Sequence, residues 1–231
     1  MLSFVVPAYN EELCILSCLT AIHDAMKEVG AEYEIVVADD ASTDATAAIA
    51  REAGARVIHV QNRQISKTRN DGAREAKGDR IVFVDADTRV NAPVMRAAIA
   101  ALDAGAVGGG AMPQFDPGAP KYANRMLRRV VAIMRWMHYA AGCFFFCRRD
   151  AFEAVGGFDE RHFAGEEIML SSALKRRGRM EMLRETVLTS SRKFANRSYR
   201  ETIWISLKLM VKGMGGVRRR ETTQFWYDGK R

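Results

Sequence analysis

The sequence holds no apolar run near the ~18 residues needed to cross a bilayer as a helix; its longest covers only residues 140–147. A spanning helix is therefore not expected. Residues 1–7 carry neither a basic leader region nor a cleavage site, so they read as a strand, not a signal peptide. The location expected from this is cytoplasmic, peripheral on the inner face of the membrane. Cysteine is scarce, with four residues in the pairs Cys14/Cys18 and Cys143/Cys147. Because Cys14 and Cys18 sit among Leu13, Ile15, Leu16 and Leu19, buried structural thiols are expected in preference to a zinc site. Internal repeats and low-complexity tracts are missing too. At 48% hydrophobic and 27% charged, the 231 residues have the make-up of an ordinary globular chain, which excludes disordered and fibrous classes.

Charge is present but unevenly spread. Residues 1–174 carry 19 Lys and Arg against 23 Asp and Glu, a net of −4, whereas residues 175–231 carry 16 against 5, a net of +11. A mildly acidic body with a basic end suggests that the end faces something anionic, either lipid or nucleic acid, or else forms a solvated surface. It has no nucleic-acid recognition motif, so an anionic membrane surface is the partner considered and nucleic acid is not expected.

The first hundred residues alternate short β-rich runs with helical stretches. Strands are expected at residues 2–6, 34–38, 56–60 and 80–84, each a near-continuous apolar run of the kind buried on both faces of a mostly parallel sheet. Helices are expected between them. Asn10 is placed to cap the first, with Glu11 and Glu12 in its first turn and Ile15, Cys18, Leu19, Ile22 and Met26 at helical spacing. Residues 44–53, 66–76 and 92–103 fill the next crossovers. This order predicts a Rossmann-like α/β fold, a mostly parallel sheet with helices on both faces, in which ligands bind beyond the carboxyl ends of the strands. Further on, residues 112–119 read as a loop, and residues 125–137 and 203–214 as basic amphipathic helices that either pack on the body or lie in a lipid interface.

Polar groups gather where those strands end. Asp85 and Asp87, separated by Ala86, leave a buried apolar strand at its carboxyl end. Unpaired anions are costly in a core, and a divalent cation, Mg²⁺ or Mn²⁺, would compensate them. Asp39 and Asp40 end the second strand, where a carboxylate can accept hydrogen bonds from a nucleobase or ribose; Asp44 suits a helix cap. The first strand delivers Pro7, Ala8, Tyr9, Asn10 and Glu11 to the same edge, and Lys67 and Arg69, at a helix start, can reach a diphosphate or base.

Taken together, residues 4–12, 36–46, 68–88 and 142–178 resemble glycosyltransferase family 2, whose nucleotide-binding core is the GT-A fold. The resemblance implies an inverting transferase that takes a sugar from a nucleotide-diphosphate donor, UDP- or GDP-linked, with a divalent cation. The acceptor, a glycan, a lipid or a polyprenyl phosphate, stays open. It implies that Pro7, Ala8, Tyr9 and Glu11 form the first donor-contacting segment, Asp40 reads the base, Arg69 contacts the donor, Asp85 meets ribose or metal beside Ala86, and Asp87 binds the metal. Glu167 stands where the family places an aspartate as catalytic base, with Glu166 as substitute; a glutamate performs the same proton transfer. His162, near Glu166 in sequence, is a candidate further metal ligand. The implied division is a catalytic domain at residues 1–197, donor half to 110 and acceptor half from 111, and a basic extension at 198–231. A sugar-nucleotidyltransferase is disfavoured because no glycine-rich basic loop follows the first strand, and a catalytically silent nucleotide- or membrane-binding module is the other alternative.

Overall fold

The chain was characterised as a computed structural model describing residues 1–140, 142–162 and 165–192. The boundary near residue 197 and the helical stripe at 203–214 lie outside the described residues.

The expected alternation is present through the first hundred residues. Strand β1 (Leu2–Ala8) leads through helix α1 (Ile15–Val29) to β2 (Tyr33–Asp40), then α2 (Thr46–Glu52), β3 (Arg56–Val60), α3 (Ile65–Glu75) and β4 (Arg80–Val84). A two-residue strand β5 (Thr88–Arg89) and helix α4 (Ala92–Asp103) follow. The later part contributes β6 (Gly108–Phe115), α5 (Lys121–Trp136), β7 (Phe144–Arg148), α6 (Arg149–Ala154), α7 (Glu166–Lys175) and β8 (Met180–Thr189). One eight-stranded sheet runs through both halves in the order β3-β2-β1-β4-β7-β6-β8-β5. β1, β2, β3 and β4 are parallel, as are β6 and β8, while β7 runs antiparallel to both its neighbours.

Two apolar layers cover the sheet, and the strand pleat assigns side chains to them. Phe4, Val6, Val82, Val84, Phe144 and Phe146 face α1 and α4 on one side. Val5, Ile81, Phe83, Phe145 and Cys147 face α3, α6 and α7 on the other, where Phe152 and Phe158 close over Phe83 with ring centroids 5.3 and 4.9 Å away. Each large side chain buried here contributes roughly 1.5–3 kcal/mol. Cys18 and Cys147 are buried, while Cys14 and Cys143 are partly covered.

Two expectations change. Asn10 does not cap α1, which starts at Ile15. Instead Asn10 takes a left-handed φ of 52° and accepts the Thr43 N–H at 2.8 Å, stitching the β1 and β2 loops together. Residues 112–115, expected in a loop, belong to β6. Glycines hid that strand: a Cβ on Gly109 would lie 2.0 Å from the Glu181 carbonyl oxygen, so strand contact here requires the residue with the weakest strand signal.

Candidate functional site

The strand order reverses between β1 and β4, which makes their carboxyl ends the place where a doubly wound sheet opens. β1 pairs with β4 only through Val5↔Phe83 but with β2 as far as Ala8↔Asp39. The two strand ends thus part beyond Val5, and Pro7, which lacks an N–H, is tolerated where the β4 side needs none. Pro7 and Ala8 are buried in the floor, with Tyr9 half-buried at its rim.

The β2 end is built by loops. Asp40 accepts the Asn62 and Arg63 backbone N–H groups on Oδ1, at 2.6 and 2.9 Å, and the Thr68 hydroxyl on Oδ2 at 3.0 Å. Asp40 therefore fixes the β3–α3 loop, and Oδ2 keeps a lone pair for another donor. The Arg63 guanidinium lies over the Tyr9 ring, 4.2 Å from its centroid. Asp39 points to the opposite face and accepts from His59 Nδ1 at 3.0 Å; its Oδ1 has no hydrogen-bond partner among the described residues.

The next residue after Thr68 ties the β4 end to the later half of the chain. Arg69, only 2% exposed, donates to Asp85 Oδ1 at 2.7 Å, to Glu166 Oε1 at 2.6 Å and to the Gly142 carbonyl at 2.9 Å. Burial alone would lower its affinity for a proton, but the charges of Asp85 and Glu166 hold it above the ordinary value. Glu166 and Glu167 form the first turn of α7, where the helix dipole favours anions. Glu166 is buried and held by Arg69; Glu167 is half-buried, and a Cβ on Gly142 would sit 3.3 Å from its carboxyl. Burial, reinforced by the negative charge of Glu166, raises the Glu167 carboxyl well above the usual range.

Asp87 lies beside this group. Its backbone carbonyl accepts the Ser190 N–H at 3.2 Å, and its Oδ1 accepts the Thr189 hydroxyl at 3.4 Å. Burial raises the Cys143 thiol strongly, and the charges of Asp85, Asp87 and Glu167 add to that rise. Glu11, buried at the start of the first loop, is paired at 2.7 Å with Arg192, and the charge of Asp87 also acts on that guanidinium.

Not every expected residue joins in. Lys67 is exposed and takes no part in these hydrogen bonds. His162 is buried and paired with Asp159 at 3.2 Å, and among the described residues no cluster of three or more His, Cys, Asp and Glu side chains has the arrangement of a metal site. The imidazole is thus paired within the 159–162 turn. What the site offers a cation is the two-carboxylate edge of Asp85 and Asp87. That suits Mg²⁺ or Mn²⁺, which are commonly held by one or two carboxylates with phosphate oxygens supplying the rest. Thr68, Gly142 and Arg192 carry structural weight that the sequence reading did not assign. Arg192 meets Glu11 across 181 positions, and no local pattern announces such a pair.

A mixed α/β sheet with helices on both faces, opening at a switch point between β1 and β4, fits the GT-A fold. Solved structures agree. The chain superimposes on the Pyrobaculum calidifontis mannosyltransferase PcManGT, in complex with GDP-Man and Mn²⁺, with a TM-score of 0.69 at 19% identity, covering 99% of this chain and 65% of that one. Staphylococcus aureus TarS 1-349 in complex with UDP gives a TM-score of 0.64 at 20% identity, covering 82% of this chain and 60% of that one. The model of the family Glycosyl transferase family 2 matches residues 3–156, about two thirds of the sequence, and the chain belongs to that family. It is 33% identical over 101 residues to the uncharacterized glycosyltransferase EpsJ of Bacillus subtilis, covering 42% of this chain and 28% of that protein. It is 37% identical over 92 residues to an undecaprenyl-phosphate 4-deoxy-4-formamido-L-arabinose transferase of Edwardsiella ictaluri, covering 37% and 28%. The matches thus span little more than a quarter of these two relatives' length. No helix among the described residues is long and apolar enough to cross a membrane.

Proposed function

We propose that this chain transfers a sugar from a nucleotide-diphosphate donor to an acceptor hydroxyl or phosphate at a membrane surface, with inversion at the anomeric carbon. The observation that carries the reading is the Asp85–Arg69–Glu166 bridge, which locks the carboxylate end of β4 against the acidic start of α7. A donor seated at the β1/β4 opening then lies within reach of Glu167.

The roles divide by environment. Pro7, Ala8, Tyr9 and the Asp40-held loop form the base and ribose side, with uridine or guanosine as the base. Donors of both kinds stand in the names of the structural neighbours, GDP-Man for PcManGT and UDP-GlcNAc for TarS. Asp87, with Asp85, would hold the divalent cation, which neutralises charge on the departing nucleoside diphosphate. Glu166 is occupied by Arg69, which supports Glu167 as the base that removes the acceptor proton. A single displacement with the base opposite the leaving group inverts the configuration. The polyprenyl-phosphate acceptor in the name of the Edwardsiella relative supports a lipid-linked acceptor.

The test follows nucleoside-diphosphate release from UDP- and GDP-sugars with Mn²⁺ and candidate acceptors. Asp87→Ala and Glu167→Gln should each lower turnover by about 100-fold or more, the latter with donor affinity retained. Donor binding by the wild type without release, whatever the acceptor, would instead establish a non-catalytic nucleotide-binding module.

A further inference from the structure

Helix α5 has an outer face that the described residues leave uncovered. Its inner side packs on β6: Ala123 and Val131 are buried, and Val131, Met134 and Tyr139 line a crevice with Gly110, Met112 and Met182. Its outer side carries Val130 at 45% exposure, Ile133 at 58% and Trp136 at 82%, with Met137 just beyond at 43%. A free tryptophan next to three exposed aliphatic side chains is costly in water and forms a contiguous apolar patch.

The charge beside the patch selects its occupant. Arg125, Arg128 and Arg129 are exposed on the amino-terminal half of the same helix, and no Asp or Glu occurs between Asp116 and Asp150. The outer face thus grades from basic to apolar along its length. Exposed Leu13, in the turn before α1, and Leu16, in its first turn, make a useful contrast, because Glu11 and Glu12 precede them. A surface that is itself apolar and anionic fits.

From this we propose that α5 lies in the interface of an anionic bilayer, with Trp136, Ile133 and Val130 among the lipid chains and the three arginines at the phosphates. This deepens the membrane-surface reading of the proposed function and rests on it for its purpose. α5 leads through residues 137–141 to Gly142, whose carbonyl accepts from Arg69 and where an added Cβ would lie 3.3 Å from the Glu167 carboxyl. A bilayer held by α5 would therefore be connected to the acceptor side of the site by a few residues of chain.

The experiment is co-sedimentation of the full chain with vesicles of phosphatidylcholine alone and with roughly a third phosphatidylglycerol. The wild type should bind the anionic vesicles and largely ignore the neutral ones, with affinity falling as salt rises. Ile133→Ser with Trp136→Ser should weaken binding by about tenfold or more, and Arg125→Gln with Arg129→Gln by about tenfold. Circular dichroism of each variant should match the wild type, because all four positions are exposed. The proposal is overturned if the wild type does not bind, if both double variants bind as it does, or if the Ile133/Trp136 variant instead turns a wild-type dimer into a monomer. Nucleoside-diphosphate release without vesicles is measured in parallel. Its failure with intact vesicle binding removes the transferase reading alone; lost binding with intact release removes the docking proposal alone.

Discussion

The two ends of the sheet carry similar charges under opposite conditions. At the end away from the site, a cleft of about 560 Å³ is lined by Asp79, Arg80, Asp103, Arg148, Arg149 and Asp150. Its ion pairs are exposed: Arg80–Asp103 at 2.6 Å and Arg149–Glu153 at 3.4 Å each leave the acid more than half open to solvent. At the carboxyl end, Arg69 is buried and its acids come from just after β4 and from α7, 16 and 97 positions away. Exposed pairs are worth at most about 1 kcal/mol, whereas a buried charge deprived of its partner costs several. The far-end cleft is therefore the weaker functional candidate: burial and long-range partners, and not charge, separate a built site from a wet surface.

The sharpest way to break that contrast is to remove the buried cation. Arg69→Met strands Asp85 and Glu166 and should destabilise the fold by about 3–5 kcal/mol in urea unfolding, and a loss under 1 kcal/mol would show that the cluster is not buried in effect. Combining it with Glu166→Gln should cost less than the sum of the two, since they share one bond.

Next in size is the response to pH. Glu167 is pushed up to about 8 by burial and by the neighbouring Glu166. A base must be unprotonated to act, so turnover should rise about tenfold per unit until pH passes that value. Stability has the opposite sign. The folded state binds the proton more tightly than the unfolded chain, so this group costs nothing at acid pH and destabilises increasingly as pH climbs from the ordinary glutamate range to about 8. The difference in melting temperature between wild type and Glu167→Gln should therefore change across that window, and a constant difference would contradict the shift.

Gly142→Ala probes the same carboxyl from outside. The new Cβ, 3.3 Å from Glu167, displaces it by a few tenths of an ångström, with an expected drop in kcat of about tenfold or less and an unchanged fold. Smallest of all, Arg80→Ala at the far end should shift stability by under about 1 kcal/mol and leave release rates untouched. A larger effect there would overturn the ranking of the two ends.

The first four strands were legible because each is a short, largely apolar run, a pattern that needs no partner to be recognised, even though the edge strand β3 is only partly buried. The carboxylates Asp40, Asp85 and Asp87 were legible as anions stranded at strand ends. β6 was hidden by Gly108, Gly109 and Gly110, chosen for close approach and not for strand preference. β8 was hidden because Glu181, Arg184 and Glu185 interrupt its apolar positions.

What the residues themselves determined is the period of hydrophobicity, and with it the alternating elements and the polar edge, because side-chain burial repeats with backbone geometry. The pairings were decided only in three dimensions. Arg69, at a helix start in the sequence, is buried between two acids, His162 is paired with Asp159, and Glu11 finds Arg192. A charge settles wherever the folded chain supplies a counter-charge shielded from water, and that place has no local signature.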